Sequence, residues 1–234
     1  MNHSTTLILV RNGEVDGIDP PRFRGRSDLP LAQRGVRQAE LTRDYLCTFG
    51  PIAAIYASPL ARCQHTAHII GAPHEVAFGY ESGLIDLDYG QWQGRSYDEV
   101  ERNDPEAFKA WMNTPHTAKI PGGEGLLAAD RRAAAVWSAV LELHPGATTI
   151  LVSHSSITRL LLLKVLCLSV RSYWELEPSP CGVSLITLKG RLWKVESMNE
   201  TAHLVGQRTP VSGLAATANE DGQQMDVARP SQVA

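Results

Sequence analysis

The sequence predicts an α/β fold in which helices cover both faces of a mostly parallel sheet. Short apolar runs of strand length occur along the chain, separated by longer segments whose apolar residues have helical spacing. Strands and helices that alternate in this way are typical of parallel sheets with helical crossovers. Composition agrees, because 234 residues with 43% hydrophobic and 20% charged residues suit one globular domain.

The first half of the chain contains two predicted strand–helix pairs. The predicted elements are a strand at 7–10, a helix at 31–50, a strand at 52–59 and a helix at 60–71. Glycine commonly ends helices, so Gly50 and Gly71 are assigned as the two helix stops. Pro59 closes the second strand, because proline cannot continue a central ladder.

The second half repeats this alternation and then ends in a hairpin. The predicted elements are a polar helix pair or one bent helix at 97–112, an amphipathic helix at 125–144, a strand at 148–154, a helix at 155–169 and two strands within 182–199. Lys189 and Gly190 form the predicted two-residue turn of that hairpin, where glycine suits a positive φ. Trp92, Trp111 and Trp137 are expected to be core or wall residues.

Composition also excludes several classes of function. The formal charge of −3 gives no electrostatic reason to expect nucleic acid or an acidic membrane as a partner. No apolar run approaches the roughly 20 residues that span a bilayer, and the N-terminus does not resemble a signal peptide. The four cysteines are widely spaced, which predicts free thiols in a cytoplasmic protein and no zinc site. We expect a monomer or homodimer.

The last part of the chain has a different composition. After about Leu204 the sequence is rich in Gly, Pro, Ser, Ala and Gln and has no aromatic residue. Such a segment buries too little apolar surface to offset the entropy of ordering. The predicted organisation is therefore a folded domain over residues 1–205 and a flexible tail over residues 206–234.

Polar residues at three strand ends indicate a phosphate site. Arg11 and Asn12 follow the first strand, Arg62 lies one turn into the helix after the second, and His154 ends the third. If these strands are parallel neighbours, all four residues meet at one edge of the sheet. Guanidinium forks match phosphate oxygens, and the helix that begins at Ser155 adds backbone N–H groups. Each residue alone has an ordinary structural role, so the prediction depends on their convergence.

Six short motifs resemble the histidine phosphatase superfamily, in its branch of phosphoglycerate mutase-like and cobalamin-pathway phosphatases. They occur in the same order between residues 7 and 199 and read "LVRNGE", "GRSDLPLAQRG", "IYASPLARCQHTA", "DLDYGQWQGRSYDEV", "PGGEG" and "LVSHSSITRLLL". The resemblance implies a three-layer α/β/α sandwich. It also implies hydrolysis of a phosphate monoester through a phosphohistidine, without metal or organic cofactor.

The resemblance also assigns roles to individual residues. Arg11, Arg62, His154 and Ser155 bind the phosphate, and Asp86 occupies the position of the general acid, with Glu81 and Asp88 as alternatives. Other residues border the substrate, namely Gly13, Arg24, Arg26, Ser27, Gly123 and Glu124. Asn12 departs from the family pattern, because it occupies the position of the nucleophilic histidine.

Asn12 changes the expected chemistry. The lone pair of an amide nitrogen is delocalised into the carbonyl, so Asn12 cannot form the phosphoenzyme. Three explanations remain: an engineered His→Asn substitution in a working phosphatase, which we favour; a natural pseudophosphatase that binds a phosphorylated ligand or protein; and an enzyme with different chemistry. The codon at position 12 of the encoding gene separates the first from the others.

The sequence favours a phosphatase over a mutase. A mutase needs a basic site for the second acidic group of its substrate, and the segment from Tyr97 to Lys119 has few basic residues. The apolar residues of 108–123 favour a small phosphorylated substrate with some nonpolar surface. The identity of that substrate stays open.

Overall fold

The computed structural model describes residues 4–16, 20–190 and 192–207. Its strands form one six-stranded sheet in the order β3-β2-β4-β1-β5-β6. The strands are β1 (Thr5–Arg11), β2 (Ala54–Ala57), β3 (Ala77–Tyr80), β4 (Thr148–Ser153), β5 (Val183–Lys189) and β6 (Leu192–Glu200). The first four pair in parallel, whereas β5 and β6 add an antiparallel edge. The predicted mostly parallel sheet is confirmed.

Helices connect the strands and cover the sheet. They are α1 (Gln33–Leu46), α2 (Ala61–Gly71), α3 (Tyr97–Asn103), α4 (Pro105–Asn113), α5 (Leu126–Leu143) and α6 (Ser155–Val165). The polar segment at 97–112 is a helix pair. Pro105 fits there because it starts α4 at a position where a missing backbone N–H costs nothing.

Alternating residues of the central strand β1 separate two cores. Leu7 and Leu9 belong to the larger cluster, which includes α5 and α6, whereas Ile8 and Val10 belong to the cluster with α2. Successive side chains of a strand point to opposite faces, so a strand that is apolar throughout is covered on both faces. This arrangement is the predicted three-layer α/β/α sandwich. Trp92, Trp111 and Trp137 are buried in the larger cluster, as predicted.

Two features of the chain fall outside the predictions. The edge strand β3 was not predicted, because it has only four residues, contains Gly79 and is partly exposed. At the other end of the chain, the Gln38 amide donates to the Gln207 carbonyl at 2.9 Å. The predicted flexible tail lies almost entirely outside the described residues.

Two further features concern the cysteines and the membrane. The four cysteines form no disulfide, and Cys63 and Cys181 are buried. Among the described helices, none is both long and apolar enough to cross a membrane.

Candidate active site

A cavity of about 210 Å³ opens at the carboxyl ends of the parallel strands. The strand order places β2, β4 and β1 side by side, so the segments that follow them meet at one edge of the sheet. Eight of the sequence-predicted site residues line this cavity: Arg11, Asn12, Gly13, Arg24, Arg62, Asp86, His154 and Ser155. The predicted convergence of the three strand ends is confirmed.

Asn12 follows β1 and is held by its neighbours. Its backbone N–H donates to the Ser153 carbonyl at 2.7 Å, which ties it to the end of β4. Its side chain is 7% exposed, and Nδ2 donates to the Gly13 carbonyl at 2.7 Å. The carboxamide is therefore fixed beneath the cavity by a bond to the next residue.

Gly13 allows the chain to approach α1 closely. A Cβ at this position would lie 2.5 Å from the carbonyl oxygen of Gly35, an impossible contact with backbone. The Gly13 N–H donates to the Thr66 hydroxyl of α2 at 3.1 Å. The glycine therefore positions the Asn12 segment between two helices, a role that its place in the motif did not reveal.

Arg11 brings a half-buried positive charge to the cavity. Its Nη1 donates to the Pro178 carbonyl at 2.6 Å. Burial and the nearby Arg159 lower the pKa of Arg11 to about 10, while Asp86 opposes this change. Arg11 still carries its charge at neutral pH, at a free-energy cost that a bound anion would reduce.

Arg62 is bound on every side by protein groups. It is 3% exposed, and its two Nη groups donate to the carbonyls of Ser27 and Gly25, both at 2.7 Å. Its Nε donates to Nδ1 of His154 at 3.1 Å, and Nη2 lies 3.4 Å from Asp86 Oδ2. Arg62 thus joins the 25–27 loop, β4 and the Asp86 segment.

His154 is a neutral imidazole with a defined tautomer. The guanidinium Nε–H of Arg62 must donate, so Nδ1 accepts, and Nε2–H donates to the Ser58 hydroxyl at 2.7 Å. Burial, followed by the charges of Arg62 and Arg11, lowers the pKa of His154 well below its usual value. His154 therefore orients Arg62, and its predicted contact with a phosphoryl oxygen stays a prediction.

Asp86 is a buried carboxyl beside these cations. Burial raises its pKa, although Arg62 and the bond from the Leu87 N–H to Oδ1 oppose the increase. A raised pKa favours the protonated form that a general acid requires. Of the three carboxylates considered for this role, Asp86 lines the cavity, whereas Glu81 and Asp88 are not among its described lining residues.

Four other predicted residues lie outside the described cavity lining, and two of them, Arg26 and Glu124, belong to an ionic cluster. Arg26 pairs with Asp88 at 3.3 Å and with Glu124 at 3.2 Å. Glu124 also pairs with Arg132, which donates to the Asp86 carbonyl at 3.0 Å. Ser27 and Gly123 are likewise absent from the described lining residues. The substrate-bordering role of these residues stays a prediction, and their observed contacts support the Asp86 segment.

The cavity also contains groups that the sequence did not suggest. They are Glu14, Arg22, Tyr89, Tyr97, Ser156, Arg159, Tyr173, Trp174 and Glu177, together with several neighbouring residues. Arg159 could have been noticed, since it is a charged residue within the apolar run of α6. The positions of the aromatic residues in the sequence do not indicate that they lie near the strand ends.

Comparison with known families agrees with this geometry. The sequence model of the histidine phosphatase superfamily (branch 1) matches residues 7–201, most of the chain. The chain belongs to the histidine phosphatase superfamily. Its arginines and His154 at the strand ends therefore occupy a fold whose members include phosphatases and phosphoglycerate mutases.

Two similar proteins illustrate the breadth of this superfamily. Phosphoserine phosphatase 1 of Hydrogenobacter thermophilus is 30% identical over 203 residues, which cover 85% of this chain and 93% of that protein. The probable phosphoglycerate mutase GpmB of Yersinia pestis is 32% identical over 203 residues, with 85% and 94% covered. Among solved structures, Bacillus stearothermophilus YhfR matches with a TM-score of 0.81 and 26% identity over 86% of this chain and 99% of that one.

Proposed function

We propose that this histidine phosphatase is a phosphate-monoester phosphatase in a catalytically disabled form. It binds the phosphoryl group of its ligand at the strand ends, but Asn12 prevents the covalent step. The observation that carries the proposal is the position of Asn12, which is buried at the end of β1 and donates from Nδ2 to the Gly13 carbonyl.

A histidine at position 12 would have the geometry of a nucleophile. The Nδ1 of an imidazole and the Nδ2 of asparagine lie equally far along the side chain, so Nδ1–H would donate to the Gly13 carbonyl. That bond would leave the lone pair on Nε2, directed away from the backbone. The amide of Asn12 keeps the donor and lacks the nucleophilic lone pair.

The proposed reaction of such an enzyme has two steps. The imidazole nitrogen forms a P–N bond as the ester P–O bond breaks, and Asp86 gives its proton to the departing alkoxide. Water then attacks the phosphohistidine, the P–N bond breaks, and the Asp86 carboxylate takes a proton from the water. The products are an alcohol and inorganic phosphate.

The surrounding charges support phosphate binding with Asn12 present. Arg11 is half-buried, and in the described structure its guanidinium has one hydrogen bond, to Pro178. The first backbone N–H groups of α6 and the positive end of its dipole lie at Ser155, beside the same cavity. A phosphoryl group would partly neutralise the crowded guanidiniums, which supports binding without catalysis.

The test compares the Asn12 protein with Asn12→His and Asn12→Ala variants on a panel of phosphate monoesters. We expect turnover only in Asn12→His. Its hydrolysis rate should exceed the rates of the other two proteins by a factor of about 10⁶, the loss that removal of a nucleophile causes in other enzymes. EDTA should not reduce this turnover, because the described residues contain no group of three or more potential metal ligands.

The same panel separates the alternatives. A folded Asn12→His protein that hydrolyses no ester would favour a pseudophosphatase that binds a phosphorylated ligand or protein. Strong hydrolysis by the Asn12 protein would favour different chemistry with another nucleophile. The codon at position 12 of the gene tests whether the asparagine is engineered.

A further inference from the structure

Asn199 lies at an irregular point near the end of β6. Its φ is 50°, in the left-handed region, which asparagine tolerates better than most residues that have a side chain. Relative to β5, the strand β6 also has one extra residue between Ser197 and Glu200. Bulges of this kind redirect a side chain and often occur beside functional sites. The contacts of the Asn199 carboxamide therefore show what the irregularity positions.

The carboxamide of Asn199 holds the segment 177–180, which connects the last 3₁₀ helix before β5 to that strand. Its Oδ1 accepts from the Ser179 N–H at 2.8 Å, and its Nδ2 donates to the Glu177 carbonyl at 3.1 Å and to the Ser179 hydroxyl at 3.3 Å. The Asn199 N–H donates to the hydroxyl of buried Ser184 at 2.9 Å, which anchors the asparagine to β5.

Gly182 and two prolines fit the chain to this clamp. A Cβ at Gly182 would collide with Oδ1 of Asn199, so the carboxamide can occupy its position only beside a glycine. The Gly182 N–H donates to the Ser179 carbonyl at 2.8 Å. Pro178 and Pro180 have their φ angles fixed by their rings. The segment is therefore held in one conformation from both of its ends.

The peptide unit between Pro178 and Ser179 joins the clamp to the cavity. Its N–H donates to Asn199, and its C=O, the Pro178 carbonyl, accepts from Nη1 of Arg11 at 2.6 Å. A peptide unit is planar, so fixing the direction of its N–H also fixes the direction of its carbonyl. Asn199 and Arg11 therefore bind opposite ends of one peptide unit.

The bond to Pro178 determines where the Arg11 guanidinium lies. Among the residues that the structure describes, the guanidinium has no other hydrogen bond. An arginine side chain that is free to rotate loses conformational entropy when a ligand orders it, and this loss reduces affinity. Holding the guanidinium at the cavity before the ligand arrives reduces that cost. Arg11 and the 177–180 segment line the same cavity.

We propose that Asn199 is a positioning residue for the phosphate site, and that it orients Arg11 through the peptide unit of Pro178 and Ser179. This inference rests on the proposed function, because the orientation of Arg11 affects binding only if Arg11 contacts the phosphoryl group. Asn199 is not among the described lining residues of the cavity, so its effect on a ligand is indirect.

The experiment measures the binding of inorganic phosphate to the Asn12 protein and to its Asn199→Gly variant, by calorimetry at low salt. Glycine adopts a left-handed φ freely, so this substitution removes the carboxamide and keeps the backbone conformation available. The Kd for phosphate should rise about tenfold, within the range of coupling between residues of one hydrogen-bond network.

Two further variants show whether the clamp is responsible. Gly182→Ala displaces the carboxamide while Asn199 itself is kept, and it should weaken phosphate binding by a similar factor. Asn103→Gly is the matched control, because its carboxamide donates to the Glu99 carbonyl at 2.6 Å and Asn103 is not among the described lining residues. The control should bind phosphate as tightly as the Asn12 protein.

A double-mutant cycle assigns the effect to Arg11. In an Arg11→Lys background, Asn199→Gly should change the Kd by about twofold or less, because an ammonium group has no planar fork that must be oriented. A tenfold loss in both backgrounds would overturn the inference, since Asn199 would then act on the cavity by another route.

The remaining outcomes separate this inference from the proposed function. A folded Asn199→Gly variant that binds phosphate as tightly as the Asn12 protein would overturn the inference and leave the proposed function intact. If Asn199→Gly does not fold, unchanged binding by Gly182→Ala overturns it in the same way. Failure of the Asn12 protein itself to bind phosphate would contradict the proposed function as well.

Discussion

Arg62 and Arg159 are buried arginines that line one cavity, yet their guanidinium groups have different kinds of partner. Arg62 donates to two backbone carbonyls and His154 and lies beside Asp86. Arg159 lies against two aromatic rings, and its buried Nε has no hydrogen-bond partner among the residues that the structure describes. Burial of a charge therefore does not identify a ligand-binding group. The partners of each N–H are more informative: Arg62 joins three segments of the chain, whereas Arg159 is held mainly by its two aromatic neighbours.

Among the residues around Arg62, the largest expected effect on rate concerns Asp86. In an Asn12→His background, Asp86→Asn should slow hydrolysis of an alkyl phosphate by about 10² to 10⁴, the usual contribution of a general acid. The rate with p-nitrophenyl phosphate should change little, because nitrophenolate leaves without a proton. Steady-state kinetics with both esters measures this difference. Equal losses on both would assign Asp86 to positioning.

The second prediction concerns stability, and it compares the loss of Arg62 with the loss of Arg159. Arg62→Met leaves His154, Asp86 and two carbonyls without their partner, so it should lower the free energy of unfolding by about 3–5 kcal/mol. Arg159→Met removes a buried charge, which is unfavourable in the core, together with two cation–π contacts, each worth about 1–2 kcal/mol. We expect a net change within about 1 kcal/mol for Arg159→Met.

Urea denaturation of both variants measures that difference. Arg37→Met is the surface control, since Arg37 is exposed and, within the described part of the chain, its ion pair is with Glu40 of the same helix. Equal destabilisation by Arg62→Met and Arg159→Met would show that the hydrogen bonds of Arg62 do not make it more important for stability than Arg159.

A smaller loss of stability is expected at Arg132, which is not among the described lining residues of the cavity. Arg132 donates to the backbone carbonyls of Gly83, Ile85 and Asp86 and pairs with Glu124. Arg132→Met should cost about 2 kcal/mol, because several half-buried acceptors lose a charged donor. The neighbouring Arg131 is exposed and provides the control Arg131→Met. If the two variants have the same urea midpoint, the ionic cluster does not hold the Asp86 segment.

The sheet and its strand ends could be predicted because β1, β2 and β4 are central. Strands buried on both faces have continuous apolar sequences, and the polar residues that end them are easy to see. The edge strand β3 has neither property. The convergence of Arg11, Arg62 and His154 then followed from parallel pairing alone.

The aromatic side of the cavity could not be predicted by the same reasoning. Arg159 lies in a helix that is apolar nearly all round, so its sequence does not show which face meets the cavity. Tyr173 and Trp174 lie in a 3₁₀ segment whose place is set by tertiary packing. The motifs that contain Arg26 and Glu124 located those residues in the chain without revealing that their side chains pair with each other.

The central claim is that the cavity lacks only its nucleophile. Rapid-quench measurement with ³²P-labelled monoester tests this claim on the Asn12→His variant, with the Asn12 protein and Asn12→Ala as controls. We predict an acid-labile, base-stable phosphoenzyme in Asn12→His alone, formed before inorganic phosphate is released. A folded Asn12→His variant that binds the ester and forms no phosphoenzyme would contradict the claim.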